Sequence, residues 1–311
     1  MSIGNQMFEV LEARTMMTVT PLSPAAWTSL PHATPAVHAA AKVTKPAPAK
    51  TPAKAPAKTV VIPVQPDPAL TDSAMKYQNF AADPLFSAAG PSPDDVKQGY
   101  IGDCYFLASL SAIAKVKPSV IQSDITAGGD GTYTVKFMTG KKAELVRVNA
   151  DLPVWPSGHL AYAGLGAQNC TWVAVMEKAY AEFRTHSHSY ASIDGGWMTD
   201  AFGALGLASK SVFGAATSKQ LMNVVSTATK TRQFATFATG DAITDSAPLL
   251  ADHAYEIDSV NYDAKGNAVS IRLRNPWGID GAGNDGSDDG YVTITAAQAL
   301  HDMSGIVTAH A

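Results

Sequence analysis

Cysteine is nearly absent from this chain: 311 residues hold two, Cys104 and Cys170. Two thiols cannot staple a disulfide scaffold, and a bridge between them would consume the residue that the rest of the pattern singles out as reactive. Charge is also sparse, at 16% of residues against 46% hydrophobic. That balance suits a globular chain with core enough for one two-lobed domain or two small ones. No long uncharged apolar run occurs, so no transmembrane span is expected. No G-x-x-x-x-G-K-[ST] loop is present to cradle a phosphate, and Gly128, Gly129 and Gly131 read as turn residues. The pair His186 and His188 lacks a third ligand at zinc spacing.

Acidic residues are missing altogether from residues 31–66, where Ala, Pro, Lys, Thr and Val dominate and a near-repeat of Pro-Ala-Lys carries Lys42, Lys45, Lys50, Lys54 and Lys58. Such a segment cannot bury a core and reads as a disordered, semi-rigid linker over residues 31–70. Residues 1–66 hold six Lys/Arg and two Glu, a net of +4, so the whole-chain −4 leaves −8 for the rest. A basic tail therefore precedes an acidic body. It reads as a solvated tether or, alternatively, as a contact to an anionic surface, and nucleic acid is not an expected partner. The first 30 residues have no basic stretch followed by an apolar one, which excludes a Sec signal peptide. Localisation is expected to be cytoplasmic or exported by a non-Sec route. Met7-Phe8-Glu9-Val10-Leu11-Glu12-Ala13-Arg14 resembles a short segment at the start of some large exported bacterial proteins, and an amphipathic helical turn accounts for it equally well.

What is present is concentrated in Gln98-Gly99-Tyr100-Ile101-Gly102-Asp103-Cys104-Tyr105-Phe106. The residues that follow are helix formers without Gly or Pro, which puts Cys104 in the first turn of a helix. There the macrodipole favours a thiolate, the form that attacks carbonyls. A small buried hydrophobe is the competing account of Cys104 and the simplest one of Cys170.

Two alternating runs, His253 to Val260 and Val269 to Asn275, flank the turn Asp263-Ala264-Lys265-Gly266-Asn267 and predict a β-hairpin. Folding it about residue 264 sets His253 opposite Asn275 and Glu256 opposite Arg272. A shift of two residues gives Glu256–Arg274 and Asp258–Arg272 instead. Either register pairs opposite charges on what the pattern presents as a solvated face, with His253, Tyr255, Ile257 and Asn275 on the apolar one. An imidazole beside an amide in a dry setting is the arrangement in which Asn orients a catalytic ring, and a satisfied core histidine is the alternative.

These motifs resemble the calpain cysteine proteases. The Cys104 segment is similar to the family's Q-G-x-x-G-D-C-[WY], and His253-Ala254-Tyr255 and Arg274-Asn275-Pro276-Trp277-Gly278 are similar to its second and third active-site motifs. The linking motifs around Val148-Asn149-Ala150-Asp151, Glu177-Lys178-Ala179-Tyr180-Ala181 and Gly195-Gly196-Trp197 follow in the family's order, from about residue 75 to 300. The resemblance implies an α+β papain-like fold: a helical Cys lobe over residues 71–208 and a β-rich His/Asn lobe over 209–311, with the active site in the cleft between them. It implies an endopeptidase acting on flexible polypeptide segments, with Cys104 as nucleophile, His253 as general base and Asn275 holding the ring. Gln98 and the Cys104 backbone N–H would receive the oxyanion. Gly195 and Gly196 would let an extended substrate approach, and Trp277 would either wedge between lobes in an inactive state or pack as an ordinary aromatic.

Calcium is the cofactor that the resemblance raises. The family's core site falls on the carbonyls of Ala88 and Gly90 and the carboxylates of Asp95 and Glu177, a donor set suited to a hard cation. A second family site falls on the loop from Asp280 to Tyr291, where Tyr291 stands in place of a ligand Glu. No EF-hand loop occurs, so the calcium-sensing domain of classical calpains is not expected. Asp252 takes the place of a family Gly before His253. A catalytically silent interaction module and an acyl transferase using the same Cys/His pair remain open as alternatives. The linker near residues 59–70 is the nearest candidate for cleavage in cis.

Overall fold

The computed structural model describes residues 62–283 and 286–311. The N-terminal segment and the linker as far as residue 61 lie outside the described residues, as do Asn284 and Asp285. The linker end drawn at residue 70 falls inside the folded body. From residue 62 the chain runs as an extended strap: Gln65 N–H donates to Arg147 O (2.7 Å), Ala69 N–H to His188 O (2.7 Å), and Tyr190 N–H to Ala69 O (3.1 Å).

The first lobe contains β1 (Lys76–Asn79), α1 (Cys104–Val116), α2 (Ser119–Asp124), β2 (Ile125–Ala127), β3 (Thr132–Thr139), β4 (Lys142–Asn149), β5 (Asp151–Val154), α3 (Trp172–Phe183) and α4 (Met198–Ala204). Strands β2, β3 and β4 form one antiparallel sheet, and β1 pairs with β5. Helices α1 and α3 are buried on nearly every side, as their Ala-, Leu- and aromatic-rich sequences require. The ring of Tyr180 stacks on Phe106 with centroids 4.0 Å apart, joining the two helices at the centre of the lobe.

The second lobe is built on β6 (Ala208–Val212), α5 (Ser218–Lys230), β7 (Phe234–Thr239), β8 (Ala254–Tyr262), β9 (Ala268–Arg274), β10 (Tyr291–Thr295), α6 (Ala296–Asp302) and β11 (Met303–His310). Its sheet has the order β10-β9-β8-β7-β11-β6. The sequence reading, mostly strands, missed α5 and α6. Thr217 and Thr295 accept the N–H groups of Gln220 and Gln298 as N-caps, and Leu221, Met222, Val225 and Ala228 give α5 one apolar face.

The sheet serves two cores. On one face Phe237, Tyr255, Ile257 and Leu273 pack under α5 and α6. On the other, Phe234, Ala238, Ala254, Val307 and Ala309 belong to the core of the first lobe. The charged side of the predicted hairpin is therefore not solvated. Glu256 and Arg274 are 1% and 2% exposed because α1 and the segment before it cover them. Arg274 donates to Val96 O (2.9 Å) and pairs with Asp94. The register is the second of the two considered, Glu256 opposite Arg274. A bulge between Ile257 and Ser259 then brings Arg272 within 3.1 Å of Asp258. The pattern gave the alternation correctly, but a charged face opposite another lobe reads the same as one opposite water. Among the described residues no helix is long and apolar enough to cross a membrane.

The strap is held by Lys178, whose side chain is fully buried and donates to Asp67 Oδ1 (2.6 Å), Asn149 Oδ1 (2.5 Å) and Asp151 O (2.6 Å). Burial pulls its pKa down and Asp67 opposes that shift. Lys178→Met leaves these acceptors without their donor, and a loss of about 3 kcal/mol is expected in urea unfolding. Stability equal to wild type would show that the strap is not tied through this residue.

Candidate active site

Asn275 stands at the end of β9 and His253 immediately before β8, so the hairpin delivers both to one end of the sheet. The backbone of His253 is tied to β7: Thr239 N–H donates to His253 O (2.9 Å) and His253 N–H to Thr239 Oγ1 (2.8 Å). The amide of Asn275 can point only one way. Its Nδ2 donates to Asp280 O (3.0 Å), while Oδ1 accepts from Trp277 N–H (3.0 Å). Oδ1 also lies 2.8 Å from His253 Nε2. With Oδ1 as acceptor, the ring proton belongs on Nε2. Nδ1 is then a lone-pair nitrogen, buried and without a hydrogen-bond partner.

Cys104 opens α1, whose N-terminus abuts the start of β8. The backbone N–H groups of Ala254 and Tyr105 lie near enough to its thiol to oppose the effect of burial on it, so it lies close to the residue that follows His253. No hydrogen bond joins it to the imidazole. Both side chains are 0% exposed. The indole of Trp277 meets the His253 ring edge-on at a centroid distance of 5.3 Å.

Burial sets the charge states. It pushes the Cys104 thiol up to about 12, against the lowering expected from the helix terminus, and it lowers His253 to about 4, with Asn275 opposing the shift. Cysteine and histidine are thus both neutral in this arrangement.

Gln98 is buried beside this site. Its backbone N–H donates to Pro276 O (2.7 Å), which ties the Cys motif to the Asn motif, and its Nε2 donates to Ile101 O (2.7 Å). The second N–H of that amide and the first-turn N–H of Cys104 are the donors the chemistry could use. Gly99 lets the backbone of Ala161 and Tyr162 pass close by, since a Cβ there would lie 2.1 Å from Tyr162 O.

The two glycines expected to meet substrate are differently placed. Gly195 has φ +69°, donates to Gly102 O (2.9 Å) and accepts from Arg184 Nη1 (2.6 Å). Gly196 lies against the Tyr105 ring, where a Cβ would come within 2.4 Å. Asp252, at the family's Gly position, has φ +49°, which accounts for glycine being preferred there.

The residues expected to hold calcium are engaged with protein. Asp95 accepts from Ser92 N–H (2.9 Å), Ala167 N–H (2.8 Å) and Trp172 Nε1 (2.8 Å). Gly90 O accepts from Ser87 Oγ (3.0 Å), and Ala88 N–H donates to Gln168 Oε1 (2.8 Å). Glu177 accepts from Ala163 N–H (3.0 Å) and lies close enough to Asp103, whose two carboxylate oxygens are buried without a hydrogen-bond partner, for each carboxyl to act on the other. Burial raises both carboxyls; Asp103 pushes Glu177 up further, whereas Glu177 draws Asp103 down and Asp194 pushes it up. Asp103 was legible only as a motif letter, because its partner lies 74 positions away. Asp280 is buried in the loop of the second expected site, where its Oδ1 accepts Gly290 N–H (2.9 Å). Among the described residues no three His, Cys, Asp or Glu converge as a metal cluster. His186 and His188 turn to separate carboxylates, Glu144 and Glu182.

This two-lobed α+β arrangement, with a cysteine at the head of the central helix and a His–Asn pair on the facing sheet, is that of a papain-like cysteine protease domain. A profile of the calpain family cysteine proteases matches residues 65–298. The chain belongs to that family. It is 31% identical over 129 residues to calpain-type cysteine protease ADL1 of Oryza sativa subsp. japonica, covering 40% of this chain and 6% of that protein. It is 28% identical over 228 residues to calpain-13 of Rattus norvegicus, covering 68% of this chain and 33% of that protein. The chain thus spans a third or less of the length of these relatives.

Because His253 is buried neutral, it contributes to a pH dependence of folding. An unfolded histidine titrates near 6.5 and the folded one near 4. Between those values the unfolded chain holds the extra proton, so this contribution is complete above the upper value and is lost as pH falls toward the lower. Urea unfolding at about pH 7.5 and about pH 4.5 should show wild type losing roughly 2–3 kcal/mol more than His253→Gln. Parallel losses would contradict the buried neutral imidazole.

Proposed function

We propose that this chain is a cysteine endopeptidase in which Cys104, His253 and Asn275 act together on extended polypeptide segments. The observation that carries the reading is the locked Asn275 amide, which leaves His253 Nδ1 as an unprotonated base beside the strand residue that contacts the thiol. His253 Nδ1 takes the Cys104 proton and the thiolate adds to the peptide carbonyl. The oxyanion is received by the Cys104 N–H and the Gln98 amide. Return of the proton from His253 to the departing amine leaves an acyl-enzyme, which water, activated by the same nitrogen, hydrolyses.

Access for a substrate requires Trp277 and the lobes to move, since neither Cys104 nor His253 has exposed surface. Opening also rehydrates both groups, which lowers the cost of forming the thiolate–imidazolium pair. Gly196, though buried against Tyr105, is the better placed of the two glycines for an extended substrate once the lobes move, because both polar groups of Gly195 are already bonded. Cleavage in cis, if it occurs, falls upstream of Ile62, because the strap that follows is hydrogen-bonded to the body.

Incubation with an unfolded protein and sequencing of the new termini tests the reading. Cys104→Ser should abolish cleavage, Asn275→Ala should slow it on the order of 10²-fold or more, and Gln98→Ala by about 10²–10³. Cleavage that survives in Cys104→Ser would sink it. Crosslinked product without new termini would indicate a transferase, and a Cys104 that refuses every electrophilic probe would indicate an interaction module.

Calcium modulation belongs to the same proposal. Asp95 and Glu177, with the carbonyls of Ala88 and Gly90, would hold the ion once the N–H donors to the two carboxylates and the Ser87 hydroxyl on Gly90 O are released; bound there, it would supply a local positive charge. Equilibrium dialysis should find calcium bound to wild type and to Cys104→Ser, and weakened at least tenfold in Asp95→Asn. Equal binding by Asp95→Asn would remove this residue as a ligand.

A further inference from the structure

The face of α1 that begins at Cys104 continues through Ala108, Ser111 and Lys115, spaced so that each lies above the last. Against it runs the even-numbered face of β8. The Cys104 thiol meets the N–H of Ala254. Ser111 Oγ donates to Glu256 Oε2. Lys115 Nζ pairs with the carboxylate and carbonyl of Asp258 and lies 3.8 Å from Glu256 Oε1. The helix that carries the cysteine and the strand that follows the histidine are thus joined at three successive levels.

Those levels differ in kind. Ala108, Ala112 and Ala254 offer small, smooth surfaces that pack equally well after a slide of the helix along the strand. Lys115 is partly exposed, and a flexible ammonium on a four-carbon stem fixes position weakly. Glu256 is the rigid point. It is buried, it binds the equally buried Ser111, and its Oε1 has no hydrogen-bond partner. A partly open cavity of about 140 Å³ beside it is lined by Ala112, Lys115, Arg232 and Glu256 among others. A buried carboxylate is poor evidence for stability, because desolvation opposes its gains; fixing a register is the role such groups serve best.

Resting on the protease reading above, we propose that Glu256 is a positioning residue that, through Ser111, sets the register of the cysteine helix on the histidine strand and hence the approach of Cys104 Sγ to His253 Nδ1. It touches neither substrate nor the reacting atoms. Displacement of a reacting group by about 1 Å costs up to 10²-fold in rate, so a slide of a fraction of a helical turn is enough to matter.

The full chain carrying Glu256→Ala, Glu256→Gln or Ser111→Ala tests this, with Cys104 titrated by an electrophilic probe so that rates refer to reactive sites. Glu256→Ala should lower kcat by about 10- to 100-fold with KM within about twofold, the signature of a group that acts on the chemical step. Glu256→Gln keeps an acceptor for Ser111 and should recover to within about threefold of wild type. Ser111→Ala should fall with Glu256→Ala, and it decides the matter on the same criterion if that variant does not fold. A lowered melting temperature with unchanged kcat per titrated site would make Glu256 structural only and overturn the inference. Wild type without Cys104-dependent hydrolysis would defeat the protease reading and this inference with it; an active wild type with unaltered variants defeats the inference alone.

Discussion

The contact of α1 with one face of the second-lobe sheet is the constraint on which the rest of this structure depends. One helix carries Cys104 at its head and lies along the strand that begins just after His253, so the relative placement of thiol and imidazole is decided by how a helix seats on a sheet. That face is lined by Ala238, Ala254, Val307 and Ala309 and is counted in the core of the first lobe, not the second. The lobes are distinct in sequence and continuous in packing. Small side chains let the helix backbone approach closely, and the buried polar groups Ser111, Glu256 and Arg274 fix what those small side chains leave free to slide.

Close packing also governs the electrostatics. A helix N-terminus favours a thiolate by a modest amount, whereas complete burial opposes any charge by more, and the balance leaves Cys104 and His253 neutral. Asn275 acts within that balance by geometry: held by Asp280 O and Trp277 N–H, it assigns the ring proton to Nε2 without adding a charge. The arrangement holds an oriented, neutral imidazole and an un-ionised thiol.

Family membership rests on separated motifs in order, and the structure explains their spacing. Gln98 N–H bonds Pro276 O, so the first motif and the last meet through backbone although nearly 180 residues separate them. Glu177 meets Asp103 across the buried gap between α3 and the head of α1. The strap from residue 62 is fastened to Lys178 through Asp67, within the range that matches the family, which begins at residue 65, well ahead of the Cys motif.

The sequence by itself determined the local facts: a helix at Cys104, from an uninterrupted run of helix formers; a hairpin across the turn from Asp263 to Asn267, where Gly266 has φ +81°; and alternation along β8 and β9, while His253 and Asn275 bond although the register that set them opposite each other does not hold. Each follows from residues near one another in the chain, where propensity, periodicity and turn chemistry act. Only the tertiary structure decided which face of the hairpin was dry, because Glu256 and Arg274 look solvated until α1 covers them. It decided the register by a bulge at Ile257 and Ser259, placed helices α5 and α6 over the opposite face, and reversed the expected ionisation of Cys104. Burial is a property of the partners that surround a group, and those partners come from parts of the chain that no local pattern connects.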